Sequence, residues 1–232
     1  MIDWHSHILP EMDDGSQSTE ESLALLRMQS EQGVEVVIAT PHYYAEEEPL
    51  DDFLTRRTHS FRILQENLPP EYPKILLGAE VRYYPGISMM ENIKKLCVEG
   101  TSLLLLEMPF SEWTEYTVRE VLKLSHSCGV TVILAHIERY FSFQNKEVWK
   151  RFRDSGILMQ VNASFFLQFS TKRKALGLLK NAKVHFLGSD CHNTDSRSPR
   201  IGEALNLICK KFGDCFVEQM QDFGYSLLFD HA

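Results

Sequence analysis

Apolar residues in this 232-residue chain fall into two alternating kinds of run. Short, nearly continuous blocks of Val, Ile and Leu read as buried strands. The longer segments between them repeat apolar residues at helical spacing and stop at glycine. Ile2, Trp4 and Ile8 frame an opening strand. Ser18-Thr19-Glu20-Glu21 then reads as a capping box, with Ser18 as N-cap and Glu21 reaching back, followed by Leu23, Leu25, Leu26, Met28 and a stop at Gly33. Val34 to Thr40 predicts a strand ending in Thr40-Pro41-His42, then a helix from about Phe53 to Asn67, broken by Pro69, Pro70 and Pro73.

The unit repeats. Lys74–Leu77 ends in Gly78-Ala79-Glu80 and precedes a helix near Met89–Val98. Ser102–Leu106 ends in Glu107 and precedes a helix near Thr117–Cys128. Val130–Ala135 ends in His136-Ile137-Glu138-Arg139 and precedes a helix near Lys146–Asp154. Ile157–Val161 ends in Asn162, with a lysine-rich helix near Arg173–Asn181. Val184–Leu187 ends in Gly188-Ser189-Asp190-Cys191-His192, and a last helical stretch runs from about Gly202 to the end. Seven strand-then-helix units without a linker predict an α/β fold with a parallel sheet, as one domain over residues 1–232. A closed or nearly closed TIM-like barrel, a (β/α)8 barrel with one unit missing, is the leading architecture. An open doubly wound sheet is the alternative.

The polar residues sit where such a barrel would build a site. His5 and His7, His42, Glu80, Glu107, His136, Asp190 and His192 follow or end strands, and only the sixth strand offers a weaker Asn162. In a parallel barrel these ends converge on one face. Any one of them is ordinary as a satisfied polar residue; the set predicts a metal basin. His59, His126, His185 and His231 fall elsewhere and read as structural or surface.

Histidines and carboxylates without an obligatory thiolate suit manganese, iron or zinc in an open site. With Asp14 the candidates exceed what one ion takes and fit two or three, with Glu80 able to bridge. Three divalent ions would carry about +6 against four carboxylates (Asp14, Glu80, Glu107, Asp190), leaving about +2. Arg139 and Arg197 add to that, so a phosphate ester is the natural occupant.

Charge and composition narrow the class. A net charge of −8 argues against general binding to nucleic acid or anionic membranes. No apolar run nears the roughly 20 residues of a membrane span, and no signal peptide is expected where strand and ligand pattern already begin. Five cysteines without a CxxC pair read as reduced thiols, hence a cytoplasmic protein.

Together, His5-Ser6-His7-Ile8-Leu9-Pro10 with Asp13-Asp14-Gly15, Thr40-Pro41-His42, Gly78-Ala79-Glu80, His136-Ile137-Glu138-Arg139 and Ser189-Asp190-Cys191-His192-Asn193 resemble the polymerase-and-histidinol-phosphatase (PHP) superfamily. Within it the chain is most similar to the manganese-dependent bacterial protein-tyrosine phosphatases of capsule and exopolysaccharide operons. The likeness runs from Met1 to about Arg200. It implies a distorted (β/α)7 barrel with a three-metal manganese cluster, iron or zinc being alternatives. One site would use His5, His7, Glu80 and Asp190, a second Glu80, Glu107 and His136, and a third Asp14, His42 and His192. Arg139 and Arg197 would grip phosphate as the catalytic, substrate-binding pair. The implied partner is a phosphotyrosyl protein, an autophosphorylating tyrosine kinase that controls polysaccharide export. Cys191 departs from the pattern, where a small residue such as alanine is expected.

Cys191 to Arg197 also fits C-x5-R, the signature of cysteine-dependent tyrosine phosphatases. The stretch lacks glycine to cradle phosphate, and Asp195 would put a negative charge there, so a buried structural cysteine is expected. Two other readings stand beside the leading one: a small-molecule phosphatase of the histidinol-phosphatase type, and a non-catalytic metal- or phosphopeptide-binding module. Tyr43, Tyr44, Tyr83, Tyr84, Phe110, Trp113, Tyr140 and Phe141 all follow strand ends. Some can line an aromatic mouth for a tyrosyl ring, although most are expected to pack loops onto helices.

Overall fold

The alternating runs become strands and helices in a computed structural model that describes residues 1–181 and 183–230. Its strands are β1 (Ile2–Ser6), β2 (Val36–Ala39), β3 (His42–Tyr43), β4 (Lys74–Leu77), β5 (Glu80–Arg82), β6 (Leu103–Glu107), β7 (Thr131–Leu134), β8 (Leu158–Asn162) and β9 (Phe186–Gly188). All paired strands are parallel, in the orders β1-β2-β4 and β3-β5-β6-β7-β8-β9. Backbone bonds span the joint between the sheets, Gly78 N to Ala39 O at 2.8 Å and Glu80 N to Pro41 O at 3.0 Å. The far edge curls back onto β1, where Asp190 N donates to His5 O at 2.8 Å and His7 N to Cys191 O at 3.0 Å. The result is a curled parallel sheet with helices outside it.

Period-two alternation divides the buried residues. Ile2, Trp4, Val36, Ile38, Leu76, Leu103, Leu105, Ile133, Ala135, Leu158 and Phe186 form one cluster inside the curl, closed below by Leu228. The opposite faces, with Val37, Leu104, Leu106, Val132, Leu134 and Val161, pack against the helices in a larger cluster.

Helices α1 (Thr19–Glu31), α2 (Leu50–Glu66), α3 (Glu115–Ser127), α4 (Lys146–Asp154), α5 (Ala163–Leu167), α6 (Lys172–Lys180), α7 (Ile201–Phe212) and α8 (Asp214–Phe229) complete the chain. Ser18 caps α1 by accepting from Glu21 N at 3.2 Å, but Glu21 takes the N–H of Gln17 (2.9 Å), one residue before the expected one. The helix expected near Met89–Val98 is replaced by two single 3-10 turns, Ile87–Met89 and Ile93–Leu96. Gly86 (φ +90°) and Asn92 (φ +60°) are left-handed there, and no α-helix propagates across them. The last helical stretch divides into α7 and α8 because Gly213 adopts φ +90°. Pro41, without an N–H, separates β2 from β3.

No helix among the described residues is long and apolar enough to cross a membrane. His59 and His126 are exposed, and His185 is half-buried, its Nδ1 accepting from Met159 N at 3.0 Å; His231 lies outside the described residues.

Candidate metal centre

Near the upper end of the curl the inward column changes from apolar to polar on strand after strand. Ile38 is followed at steps of two by Thr40 and His42, Leu76 by Gly78 and Glu80, and Leu105 by Glu107. Leu158 is followed by Gln160 and Asn162, and Phe186 by Gly188 and Asp190. A register irregularity in β1 between Asp3 and Ser6 lets the inward face pass from Ile2 and Trp4 to His5 and His7. Two of the expected ligands leave extended geometry: His136 (φ +30°) and Asp190 (φ +52°) are both left-handed. Such backbone costs on the order of 1–3 kcal/mol and persists where the surroundings over-determine it.

All nine expected ligands meet in one basin. Glu80 is its centre, with Oε2 3.0 Å from His5 Nε2, 3.3 Å from His7 Nε2 and 3.1 Å from His42 Nδ1, and Oε1 2.8 Å from His136 Nε2. Asp190 Oδ1 lies 3.8 Å from His5 Nε2, 3.6 Å from His7 Nε2 and 3.6 Å from His192 Nδ1. Glu107 Oε1 stands 3.5 Å from His136 Nε2. Asp14, more exposed than the rest, reaches His42 Nε2 at 3.5 Å and His192 Nε2 at 3.3 Å. Ligand atoms within 4.8 Å of one another fall into four groups: His7, Asp14, His42 and His192; His5, His7 and Asp190; His5, Glu80 and His136; His42, Glu80 and Glu107.

The donor set fits divalent cations better than it fits itself. His5 Nε2 and His7 Nε2 face each other at 3.1 Å. His42 Nδ1 and His192 Nε2 are buried without a hydrogen-bond partner, although carboxylate oxygens stand 3.1 and 3.3 Å away. Burial pushes the Glu80 carboxyl up, but His5, His136 and His7 together hold it well below its usual range. Burial, then the nearby Glu80 charge, raises Glu107 to about 7. Burial works against a charge on His7, yet Asp13 and Glu80 raise it to about 10, whereas burial and His7 lower His192 to about 4. Such a cluster holds protons where a cation would replace them.

Residues outside the ligand set hold it in place, and the strand-end reading passed over most of them. Asp13 Oδ2 accepts from His7 Nδ1 (2.7 Å) and His42 N (2.8 Å), which leaves His7 Nε2 turned to the centre. Gln160, fully buried on β8, has Oε1 2.7 Å from the donating His136 N and 3.3 Å from His5 Nδ1. Its Nε2 donates to Asn162 Oδ1 (2.9 Å), and Asn162 Nδ2 donates to Asp190 Oδ2 (2.7 Å). Asn162, the weak ligand candidate, is therefore a support. The available signal was its step of two from Leu158 through Gln160. Gly188 makes room for this arrangement, because a Cβ there would lie 2.5 Å from His5 Cβ and 2.7 Å from Gln160 Nε2.

The two expected arginines approach Asp190 from either side. Arg139 Nη2 is 2.5 Å from Oδ2 and Arg197 Nη2 is 2.9 Å from Oδ1. Both side chains remain more than a third exposed, with donors left over. Of the eight aromatic candidates, Tyr43, Tyr83 and Trp113 are buried packing residues, Tyr140 is buried with its hydroxyl 3.2 Å from His136 Nδ1, and Phe141 packs on Trp149. Tyr84 is half-buried against the core. Tyr44 and Phe110 flank the centre, Tyr44 stacked on His42 (5.2 Å) and Phe110 on His136 (6.1 Å), with the Phe110 side chain half exposed. Cys191 is fully buried beside Gln29, and burial pushes its thiol far up, unlike a thiolate nucleophile.

Comparison with known proteins places the chain among relatives. The family described as "Capsular polysaccharide synthesis, CpsB/CapC" matches residues 1–222. The chain is 32% identical to the tyrosine-protein phosphatase CpsB of Streptococcus agalactiae serotype III, over 95% of this chain and 97% of that protein. It is 29% identical to the tyrosine-protein phosphatase YwqE of Bacillus subtilis, over 92% and 85%. A solved structure from a study of YwqE of Bacillus subtilis and CpsB of Streptococcus pneumoniae, described as metal-dependent tyrosine phosphatases, superposes with a TM-score of 0.84. That match has 26% identity and covers 100% of this chain and 96% of the other.

Proposed function

Since the chain belongs to the CpsB/CapC family, we propose that it is a metal-dependent protein-tyrosine phosphatase acting in capsule or exopolysaccharide synthesis. The observation that carries this reading is the convergence of five histidines and three further carboxylates around Glu80, flanked by two arginines. His5, His7, Asp14, His42, Glu80, Glu107, His136, Asp190 and His192 would hold a cluster of two or three divalent ions, manganese first, with iron or zinc as alternatives. Counting β2 with β3 and β4 with β5 as single staves, the sheet reads as a distorted (β/α)7 barrel, and residues 1–232 as one domain around this centre.

Divalent ions held by these residues would supply Lewis acidity and make water a usable nucleophile near neutral pH. The chain's own part is orientation and charge. Arg139 and Arg197 converge at Asp190 from opposite sides, so a phosphoryl group in front of that carboxylate meets two guanidinium forks. Each can hold non-bridging oxygens as charge rearranges. Phe110, half exposed beside His136, offers a ring face for the tyrosyl ring. A phenolate departs readily, so no dedicated general acid is assigned. The substrate in this reading is a phosphotyrosyl protein, an autophosphorylating bacterial tyrosine kinase, met in the cytoplasm.

Turnover of a phosphotyrosyl peptide, a phosphoseryl peptide and histidinol phosphate, each with manganese and with chelator, tests the assignment. Metal-dependent preference for phosphotyrosine is expected. Equal turnover of both peptides, or preference for histidinol phosphate, would favour a small-molecule phosphatase.

A further inference from the structure

The turn that carries Arg139 has a second face. Ile137 and Phe141, on either side of Arg139, line a cavity of about 630 Å³ away from the metal ligands, with Trp149 as a further wall. Four cations, Lys146, Arg153, Lys174 and Lys183, line the same cavity, and no carboxylate does. In a chain with 32 acidic and 24 basic residues this local balance runs against the composition.

The four cations are also unpaired. Some cations elsewhere find carboxylates, as Arg56 finds Glu48, Arg151 finds Glu115 and Arg200 finds Glu203. None of these four has a carboxylate oxygen within 4.0 Å among the described residues. Arg153 and Lys183 are half-buried, and Lys174 Nζ stands 4.4 Å from the centroid of the Phe141 ring. Arg153 and Lys183 thus hold positive charge beside apolar walls that a bound anion would neutralise.

The occupant must therefore be anionic and also cover ring faces. A single phosphate monoester brings a charge of about −1.5 to −2, short of four cations. A nucleoside polyphosphate supplies more charge together with an aromatic base, and the cavity lies within the size range of small-ligand sites. We propose that this cavity binds a nucleoside di- or triphosphate, its base against Trp149 and its phosphates among Lys146, Arg153, Lys174 and Lys183.

Calorimetric titration of the manganese-loaded full chain with ADP and ATP, in excess manganese, tests this independently of phosphatase activity. One equivalent should bind, and Arg153→Ala and Lys174→Ala should each weaken binding by about tenfold, the effect of losing ~1.4 kcal/mol. Peptide turnover without nucleotide should stay close to that of the parent chain, showing that both variants fold. Absence of binding at about 1 mM nucleotide, where affinity is only ~4 kcal/mol, would overturn the proposal. So would undiminished binding in both variants, which would put the nucleotide at the metal centre. Phosphotyrosine binding here as tightly as ADP would overturn the nucleotide class in favour of a monoester.

Discussion

Asn162 donates its side-chain N–H to Oδ2 of Asp190 at 2.7 Å, while Gln160, two residues earlier on the same strand, braces His5 and His136. One strand without a charged group thus supports three of the proposed ligands. Gln160→Leu or Asn162→Leu should lower manganese affinity by roughly 10–100-fold, the usual effect of removing a ligand's outer partner. Competition against a fluorescent chelator measures it, with circular dichroism to show a retained fold. Unchanged affinity in both variants would mean that the ligands orient themselves.

Arg139 and Arg197 are expected to act on the transferring phosphoryl group. Arg139→Ala or Arg197→Ala should each reduce kcat by about 10²–10³, the scale of losing one transition-state donor. Metal content, read by elemental analysis, should stay at the parent value. Loss of metal in parallel with kcat would instead give the arginines a structural role through Asp190.

Cys191→Ser should leave turnover mostly intact, because the thiol is buried in the core and its deprotonation is suppressed by burial. Rapid quench followed by mass spectrometry should find no phosphate on sulfur. A phosphocysteine, or an inactive Cys191→Ser that still holds its metals, would make C-x5-R the working site.

Metal affinity should rise with pH. In the metal-free chain His7 keeps its proton to about 10, because Asp13 and Glu80 outweigh burial; Glu107, buried and beside Glu80, keeps its own to about 7. The raised His7 stabilises the metal-free fold fully below its unfolded value near 6.5, and that contribution fades as pH climbs through 10. The raised Glu107 has the opposite character for an acid, and stability falls between its ordinary 4.5 and about 7 as the carboxyl ionises in water but not in the fold. Both must release protons to take a cation, so manganese affinity should increase as pH climbs through about 7 and on toward about 10. Calorimetry in buffers of different ionisation enthalpy should record the released protons; a buffer-independent heat would contradict this.

Much of this was legible in the sequence because it follows from periodicity. Apolar blocks marked the strands, glycines the helix ends, and steps of two carried Ile38 to His42 and Leu76 to Glu80, so that side chains distant in sequence lie in one basin. What escaped notice depends on local backbone or on neutral side chains. The irregularity in β1 and the left-handed His136 and Asp190 leave no periodic trace. Gln160 carries no charge to draw attention, and its role appears only when β8 lies beside His5. The helix expected near Met89–Val98 failed because apolar spacing could not reveal left-handed breaks at Gly86 and Asn92.

The most direct measurement is a manganese titration of chelator-stripped protein while hydrolysis of a phosphotyrosyl peptide is followed. Turnover should be absent without metal and rise as two or three equivalents bind. His5→Ala and Glu80→Ala, which open the centre of the cluster, should neither bind the full complement nor recover activity. Undiminished turnover in the stripped protein, or full activity in Glu80→Ala, would contradict a metal centre built around Glu80.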